Sequence, residues 1–298
     1  MQNPKILVSI VNWMNYWDTI ECISLCKQQD YKNIEVIVVD NASKNDSISK
    51  IKEAHSDIKI ISIKSNRGFA AGHKEAYKYA KKNNFDIIWL LNPDARIKND
   101  TITTLVSAYS KNGLAIYGSI TVDKNGNDIS TVKKTKGIDG FKIETQEGKD
   151  ENLLQVDFVS GSSFFIPMEI PRKIGFIPTK YFMYVEEVDF SYNAYQLGIP
   201  SYYVLNSKME HEGAKSFEIS NELQYIKTYY SIRNYIHFTL KIGKYSRRVI
   251  RINNGGMRAI LKNAFQRKDM NLHYHALGVL HAYLGIMGRI INPERFLS

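Results

Sequence analysis

A short polar motif, Asn92-Pro93-Asp94, directly follows an apolar run over residues 85–91. Pro93 ends the run, because proline donates no hydrogen bond to a strand ladder and fixes a turn instead. The carboxylate of Asp94 is a hard oxygen ligand of the kind that suits Mg²⁺ or Mn²⁺. Asp94 could equally cap the helix that follows, so the local sequence leaves both alternatives open.

Three acidic residues, Glu186, Glu187 and Asp189, follow an aromatic segment over residues 181–184. Neighbouring carboxylates raise one another's pKa, which suits a general base that takes a proton from a hydroxyl group. Acidic residues are also common in the first turn of a helix, where they interact favourably with the helix dipole. The dipole does not account for the aromatic segment, which offers an apolar binding surface.

Strands and helices alternate along the chain, and the predicted strands are apolar on both faces. This pattern predicts an α/β fold with a mostly parallel sheet that is covered by helices on both sides. The predicted strands are residues 5–12, 33–40, 58–63, 85–91, 114–120, 156–167 and 201–205. Helices are predicted over residues 19–29, 72–83 and 99–112, in the acidic segment up to residue 197, and after residue 218.

Polar residues follow four of these predicted strands, at Asn12, at Asp40-Asn41, over residues 65–68 and at the Asn92 motif. In parallel α/β sheets, ligands bind beyond the carboxyl ends of the strands. One such cluster alone would be explained by a turn or a helix cap. Four clusters at the same edge favour a single binding crevice.

The 298-residue chain is basic, with a formal net charge of +10. This charge predicts an anionic partner, such as nucleic acid, the cytoplasmic leaflet of a membrane or a phosphorylated small molecule. No apolar run reaches the roughly 18 residues of a membrane span, and the two cysteines suit a reducing cytoplasm. The late basic residues are Lys241, Lys244, Arg247, Arg248, Arg251, Arg258, Lys262, Arg267 and Lys268.

Seven segments, in this order, resemble the family 2 glycosyltransferases of the GT-A fold, and look closest to their bacterial rhamnosyltransferase-like branch. The segments are VVDNAS, SNRGFAAG, LLNPD, VSGSSFFI, YFMYVEEVDFS, HEGAKS and YSIRN, between residues 38 and 234. Each is weak alone, but the ordered set is specific. The resemblance implies a Rossmann-like catalytic domain over residues 1–217, with a nucleotide-binding half over 1–98 and an acceptor-binding half over 99–217. A basic amphipathic helical extension would follow over 218–298.

The resemblance also implies how a nucleoside-diphosphate sugar is held. Asp40 matches the acidic residue that reads the nucleobase edge, and Asn12, Asn41 and Ser43 would assist it. Arg67 and Gly68 match a loop that closes over the nucleotide. Arg233 matches a position from which a guanidinium could reach the diphosphate.

The metal motif departs from the family's DxD pattern, because Asn92 replaces the first aspartate. An amide can still hydrogen-bond to ribose, so the resemblance implies that Asp94 remains the direct metal ligand. His211 matches the histidine that completes the metal shell. An imidazole ligand favours Mn²⁺ over Mg²⁺, and we therefore expect Mn²⁺ as the cofactor.

Glu187 matches the general base of inverting transfer. Tyr184, Glu186 and Asp189 would position the acceptor. The aromatic segment over residues 181–184 offers a surface on which a sugar can stack. The favoured donor is dTDP-rhamnose, with UDP-hexoses as the alternative. The expected acceptor is a growing bacterial surface polysaccharide or a lipid-diphosphate-linked glycan.

Two other function classes are compatible with parts of this sequence. A sugar-nucleotide nucleotidyltransferase would share the fold, but would carry a Gly-rich segment with a basic residue where this chain has Asn12-Trp13-Met14-Asn15. A nucleic-acid-binding module would use the net charge, yet the acidic crevice would repel phosphates. We therefore expect a cytoplasmic enzyme without a nucleic-acid partner, whose C-terminal basic helices could rest on an anionic membrane surface.

Overall fold

The computed structural model describes residues 3–129, 151–211, 221–243 and 270–293. Its strands are β1 Ile6–Asn12, β2 Ile34–Asp40, β3 Lys59–Ser62, β4 Ile87–Leu91, β5 Ala95–Ile97, β6 Ile116–Val122, β7 Leu153–Val156, β8 Ser163–Pro167 and β9 Ser201–His211. Its helices are α1 Tyr16–Lys27, α2 Ser47–Ala54, α3 Phe69–Lys82, α4 Thr101–Asn112, α5 Glu169–Ile174, α6 Glu186–Tyr195, α7 Asn221–Lys241 and α8 Met270–Tyr283, with a 3-10 turn at Thr179–Tyr181.

The strands form one mixed sheet in the spatial order β3-β2-β1-β4-β8-β6-β9-β5, and β7 pairs with β9 beside this path. Strands β1 to β4 pair in parallel, with Asn12 opposite Asp40 and Ile10 opposite Leu91. Their carboxyl ends therefore meet at one edge, as the sequence predicted. The second half of the sheet is mixed, because β8 runs antiparallel to both β4 and β6.

Strand alternation divides the core between the two faces of the sheet. Ile6, Val8 and Ile10 of β1 pack with α1, α2 and α4, whereas Leu7 lies on the opposite face, in the cluster that contains α3 and α6 residues. Cys22 and Cys26 are buried in the first cluster, where their four-residue spacing on α1 places them together. The predicted α/β fold with helices on both faces is confirmed.

Strand β9 is longer than the sequence predicted. It continues to His211 instead of ending at residue 205, and this extension pairs antiparallel with β5, placing His211 opposite Ala95. Its exposed residues between Leu205 and Glu210 weaken the apolar pattern, because this part lies near the edge of the sheet. The extension supplies one half of the site described below.

The last two helices, α7 and α8, pack closely against each other. A Cβ on Gly278 of α8 would lie only 2.9 Å from the carbonyl oxygen of Tyr229 on α7, so this crossing requires glycine. Among the described residues, no helix is long and apolar enough to cross a membrane. All the late basic residues except Lys241 lie outside the described ranges, as does much of the predicted basic amphipathic region.

Candidate active site

A cavity of about 470 Å³ opens at the carboxyl ends of the parallel strands. Both halves of the chain line it. The lining comes from the Asn92 motif, which directly follows β4, from the start of α3, from the segment before α6 and from the end of β9. Eight of the predicted site residues line it: Asn41, Gly68, Asn92, Asp94, Tyr184, Glu186, Glu187 and His211. The sheet thus brings the principal predicted groups to one place.

Asp94 and His211 form a pair across the β5–β9 junction. Nε2 of His211 lies 3.1 Å from Oδ1 of Asp94 and 3.0 Å from the side-chain amide of Asn92. Burial alone would raise the pKa of Asp94. The hydrogen bond and charge of His211, together with Arg96, outweigh burial and hold this pKa below its usual value.

This pair fits a divalent cation. One ring nitrogen has either one hydrogen or one lone pair, so His211 Nε2 cannot satisfy both of its polar neighbours by hydrogen bonding. A cation held by the Nε2 lone pair and the Asp94 carboxylate would remove this conflict. In the described ranges, no group of three or more His, Cys, Asp or Glu side chains is placed to hold a metal. Further ligands would therefore have to come from substrate or water.

Glu186 and Glu187 begin α6 and both line the cavity. Burial raises the pKa of Glu187 to about 7. Burial also raises the pKa of Glu186 well above its usual value, and the charge of Glu187 adds to this effect. Glu186 is only 3% exposed, and its Oε2 has no hydrogen-bond partner within the described chain. Burial therefore makes both carboxyl groups of this pair hold a proton more tightly than an exposed glutamic acid does.

The backbone before these acids is strained. Phe182, Tyr184 and Val185 have φ values of 70°, 65° and 74°, a region that side-chain-bearing residues rarely adopt. Asn234 of α7 stabilises this segment, because its Nδ2 lies 3.0, 2.6 and 3.0 Å from the carbonyl oxygens of Tyr181, Met183 and Tyr184. Strain of this kind tends to accumulate at functional sites, and here it immediately precedes the two acids.

Arg233 corrects one sequence-based expectation. Its guanidinium is fully buried and donates to the carbonyl oxygens of Gly288 and Tyr181, each at 2.8 Å, and to Oδ1 of Asn234. It does not line the cavity. The expected contact with a diphosphate is therefore wrong for this structure, because every guanidinium nitrogen is already engaged in holding α7 against its neighbours.

Asp189 is the second correction. Its carboxylate is 1% exposed and accepts hydrogen bonds from the Tyr181 hydroxyl at 2.8 Å and from Lys241 and Asn193. It lies on α6 outside the cavity lining, so its predicted contact with an acceptor is also wrong. Of the three acidic residues that the sequence placed at the site, only Glu186 and Glu187 line the crevice.

The predicted nucleotide residues form a buried network at the ends of β1 and β2. Asn12 donates to Asp40 Oδ1 at 2.9 Å and to Ser43 Oγ at 3.1 Å, while Asp40 Oδ2 accepts from the backbone N–H of Ser43. None of these three lines the cavity directly. Asn41 does, and its Oδ1 accepts from the backbone N–H of Arg67, whose side chain is exposed.

Gly68 and Gly72 are required by packing within the protein. A Cβ on Gly68, which has φ +85°, would lie 1.9 Å from the carbonyl oxygen of Phe182, and one on Gly72 would lie 2.9 Å from Val11. These glycines therefore allow α3 to pack against the strained segment and against β1. Close approach to a nucleotide is not needed to explain them.

Sequence analysis missed Lys227, a lysine on α7 that lines the cavity. It has no ion-pair or hydrogen-bond partner among the described residues. Its position six residues before Arg233 gave no local signal, since a lysine in a basic helix is usually solvated. In the structure, Lys227 provides the positive charge near the crevice that had been assigned to Arg233.

Comparison with known proteins places these features in context. Residues 10–175, more than half of the chain, match the sequence pattern of glycosyl transferase family 2. The low-salt glycan biosynthesis hexosyltransferase Agl10 of Haloferax volcanii is 25% identical over 301 residues, covering 93% of each chain.

Several solved structures share the fold. The mannosyltransferase PcManGT from Pyrobaculum calidifontis, in complex with GDP-Man and Mn²⁺, matches 99% of this chain and 78% of its own with a TM-score of 0.61 and 15% identity. GalNAc-T7 with UDP, GalNAc and Mn²⁺ matches 95% of this chain and 56% of its own, with a TM-score of 0.61 and 15% identity. Residues 1–349 of Staphylococcus aureus TarS match 95% of this chain and 90% of that fragment, with a TM-score of 0.54 and 15% identity. These likenesses confirm the GT-A fold.

Proposed function

We propose, since this chain belongs to glycosyl transferase family 2, that it transfers a hexose from a nucleoside-diphosphate sugar to a glycan hydroxyl with inversion at the anomeric carbon. The observation that carries the proposal is the composition of one cavity. It holds Asp94 and His211, which fit a divalent cation, together with Glu187, whose pKa of about 7 suits a general base.

Asp94 and His211 would hold the cation, which when bound would neutralise charge on the departing diphosphate. Mn²⁺ is our preferred ion because of the imidazole ligand, and PcManGT and GalNAc-T7 were both solved with Mn²⁺. Asn92 would contact the ribose. Lys227 would add a second positive charge, besides that of the cation, to stabilise the diphosphate.

Glu187 would take the proton of the acceptor hydroxyl as its oxygen attacks the anomeric carbon from the face opposite the nucleotide. The leaving nucleoside diphosphate departs with the electrons of the broken bond. Glu186 and Tyr184 would hold the acceptor. Asn234 and Arg233 would fix the segment that carries Glu187, so that its carboxylate keeps one position.

The nucleobase would lie at the ends of β1 and β2, against Asn41 and the network of Asn12, Asp40 and Ser43, with Arg67 and Gly68 in the adjoining loop. The division into a nucleotide-binding half before residue 98 and an acceptor-binding half after it belongs to the same proposal. A bacterial surface polysaccharide or lipid-linked glycan remains our proposed acceptor. The Haloferax relative, named for glycan biosynthesis, is consistent with a glycan product.

A thermal-shift screen tests the reaction class and the donor. We expect at least one of dTDP-rhamnose, UDP-GlcNAc and GDP-mannose to raise the melting temperature more strongly with Mn²⁺ than with EDTA. A ligand at 100 times its Kd adds about 2.7 kcal/mol to stability, which corresponds to a shift of about 4 °C for a chain of this size. We favour dTDP-rhamnose. Absence of any shift across nucleotide sugars and metals would refute the proposed donor class.

Contact with a membrane is a separate part of the proposal. Leu280, Tyr283 and Leu284, at the end of α8, expose apolar side chains, and the basic residues from Lys241 to Lys268 precede this helix in sequence. Basic and apolar residues together favour binding to an anionic lipid surface. We expect the protein to float with vesicles containing anionic phospholipid and to stay behind with purely neutral ones. Equal recovery with both would contradict this part.

A further inference from the structure

Two ring nitrogens in residues that line the cavity have no role in the proposed mechanism. Nε1 of Trp13 and Nε2 of His73 are buried and have no hydrogen-bond partner within the described ranges. Folded proteins rarely leave buried polar groups unpaired, because the lost hydrogen bond to water is not recovered. Both residues belong to a binding cavity, so a ligand is the natural source of the missing partners.

The contact between His73 and Ser9 indicates which nitrogen of the imidazole carries the hydrogen. Ser9 is fully buried, and its Oγ lies 2.8 Å from Nδ1 of His73. This nitrogen is the only acceptor that the described structure gives to the Ser9 hydroxyl. If the hydroxyl donates to Nδ1, the hydrogen of the neutral ring is on Nε2. Like Trp13 Nε1, His73 Nε2 is then a donor that lacks an acceptor.

These two residues share one wall of the crevice. Ser9 and Val11 lie on the same face of β1, since side chains alternate along a strand, and Trp13 follows just beyond the end of this strand. Gly72 seats α3 directly on Val11, which places His73 next to Ser9. Because packing of α3 on β1 fixes His73, its Nε2 is positioned before any ligand arrives.

The wall lies beside the centre of the cavity. The ring of His73 meets the ring of Phe69 edge-on at 4.5 Å, and Phe69 in turn packs against Gly161. The neighbouring Ser162 accepts a hydrogen bond from the backbone N–H of Asn92 at 3.1 Å. A short chain of contacts therefore connects His73 to the Asn92 motif, where the diphosphate end of a donor would lie.

Charge selects the kind of ligand. Burial lowers the pKa of His73 to about 3, so the ring is uncharged at neutral pH. The indole of Trp13 is uncharged as well. Uncharged N–H donors match the neutral oxygens of a sugar, whereas phosphate oxygens would be served by Lys227 and a cation at Asp94.

We propose that Trp13 and His73 form a subsite that binds hydroxyl oxygens of the sugar being transferred, and that Ser9 positions the imidazole. This rests on the proposed function, because only a nucleotide-sugar donor brings such a sugar into the cavity.

The test compares each nucleotide sugar with its parent nucleotide by calorimetry, using UDP-GlcNAc with UDP, dTDP-rhamnose with dTDP, and GDP-mannose with GDP. Trp13→Phe removes one N–H and keeps an aromatic ring, and His73→Leu removes the other at similar volume. Each is expected to weaken nucleotide-sugar binding about tenfold, the scale of one hydrogen bond, and to leave nucleotide binding unchanged. His73→Gln, which restores an N–H, should recover most of the lost affinity.

Trp17→Phe is the matched control, because Trp17 is 72% exposed and does not line the cavity. It should change neither affinity. Melting temperatures close to that of the parent protein would show that the variants fold. Equal weakening of nucleotide and nucleotide sugar, or no weakening of either, would overturn the subsite while leaving the proposed function standing. A parent protein that binds none of the six ligands would instead overturn the proposed function, and the subsite with it.

Discussion

Glu187→Gln is expected to lower kcat for sugar transfer by about 10²–10⁴-fold, the usual contribution of a positioned general base. The amide keeps the size of the side chain but cannot accept the hydroxyl proton. Affinity for the nucleotide sugar should change little, because Glu187 acts on the acceptor. The measurement is steady-state kinetics together with donor binding by calorimetry.

The pH profile provides an independent check on this assignment. Glu187 must be ionised to accept a proton, and its pKa is about 7. The value of kcat/KM should therefore be constant above about pH 8 and should fall about tenfold per pH unit well below pH 7. Glu53→Gln, which alters an exposed acid of α2, should leave the profile unchanged. Substantial turnover by Glu187→Gln, with the same acidic limb as the parent protein, would move the base to another residue.

Asp94→Ala should weaken Mn²⁺ binding and nucleotide-sugar binding together, by about 100-fold or more. Changes to groups that merely support a metal ligand already cost 10- to 100-fold, and Asp94 is the carboxylate of the pair. His211→Ala should have a similar effect. The double variant should lose little more than either single variant, since the two residues act as one unit. Calorimetry with Mn²⁺, with and without the nucleotide sugar, measures both affinities.

Asp100→Asn is the control, because this exposed acid lies six residues from Asp94 and outside the cavity. Lys227→Ala offers a contrast, since it should weaken nucleotide and nucleotide-sugar binding alike, both in Mn²⁺ and in EDTA. Lys208→Ala, which removes an exposed lysine elsewhere, corrects for net charge. Metal-dependent donor binding that survives in Asp94→Ala would exclude Asp94 from the metal site.

The sequence predicted those parts of the site that follow directly from strand ends. Asn41, Asn92 and Asp94 could be located in this way, because parallel strands bring their carboxyl ends to one edge whatever the remainder of the chain does. His211 was matched through the family resemblance. Its placement depends on the extension of β9, which the exposed residues of that strand obscured.

The errors arose where long-range packing decides the role of a residue. Arg233 and Asp189 look like ligand-binding residues in sequence, but their hydrogen bonds include partners 52 to 55 residues away, at Gly288 and Tyr181 for Arg233 and at Lys241 for Asp189. The role of His73 was equally hidden, since a histidine within a helix carries no sign that its ring meets Ser9, 64 residues earlier. Local patterns cannot encode such contacts.

The β5–β9 junction also affects the order in which the protein acquires activity during its synthesis. Asn92 and His211 are 119 residues apart, and the ribosome adds about 5–20 residues per second. For several seconds, a growing chain therefore contains the Asn92 motif without His211. Asn234 and Arg289 are added later still. Arg289 donates to the carbonyl oxygen of Asn66 at 2.7 Å, so the loop before α3 is also secured by a residue more than 200 positions later in the chain. A nascent chain thus cannot assemble the complete crevice until Arg289 has been added.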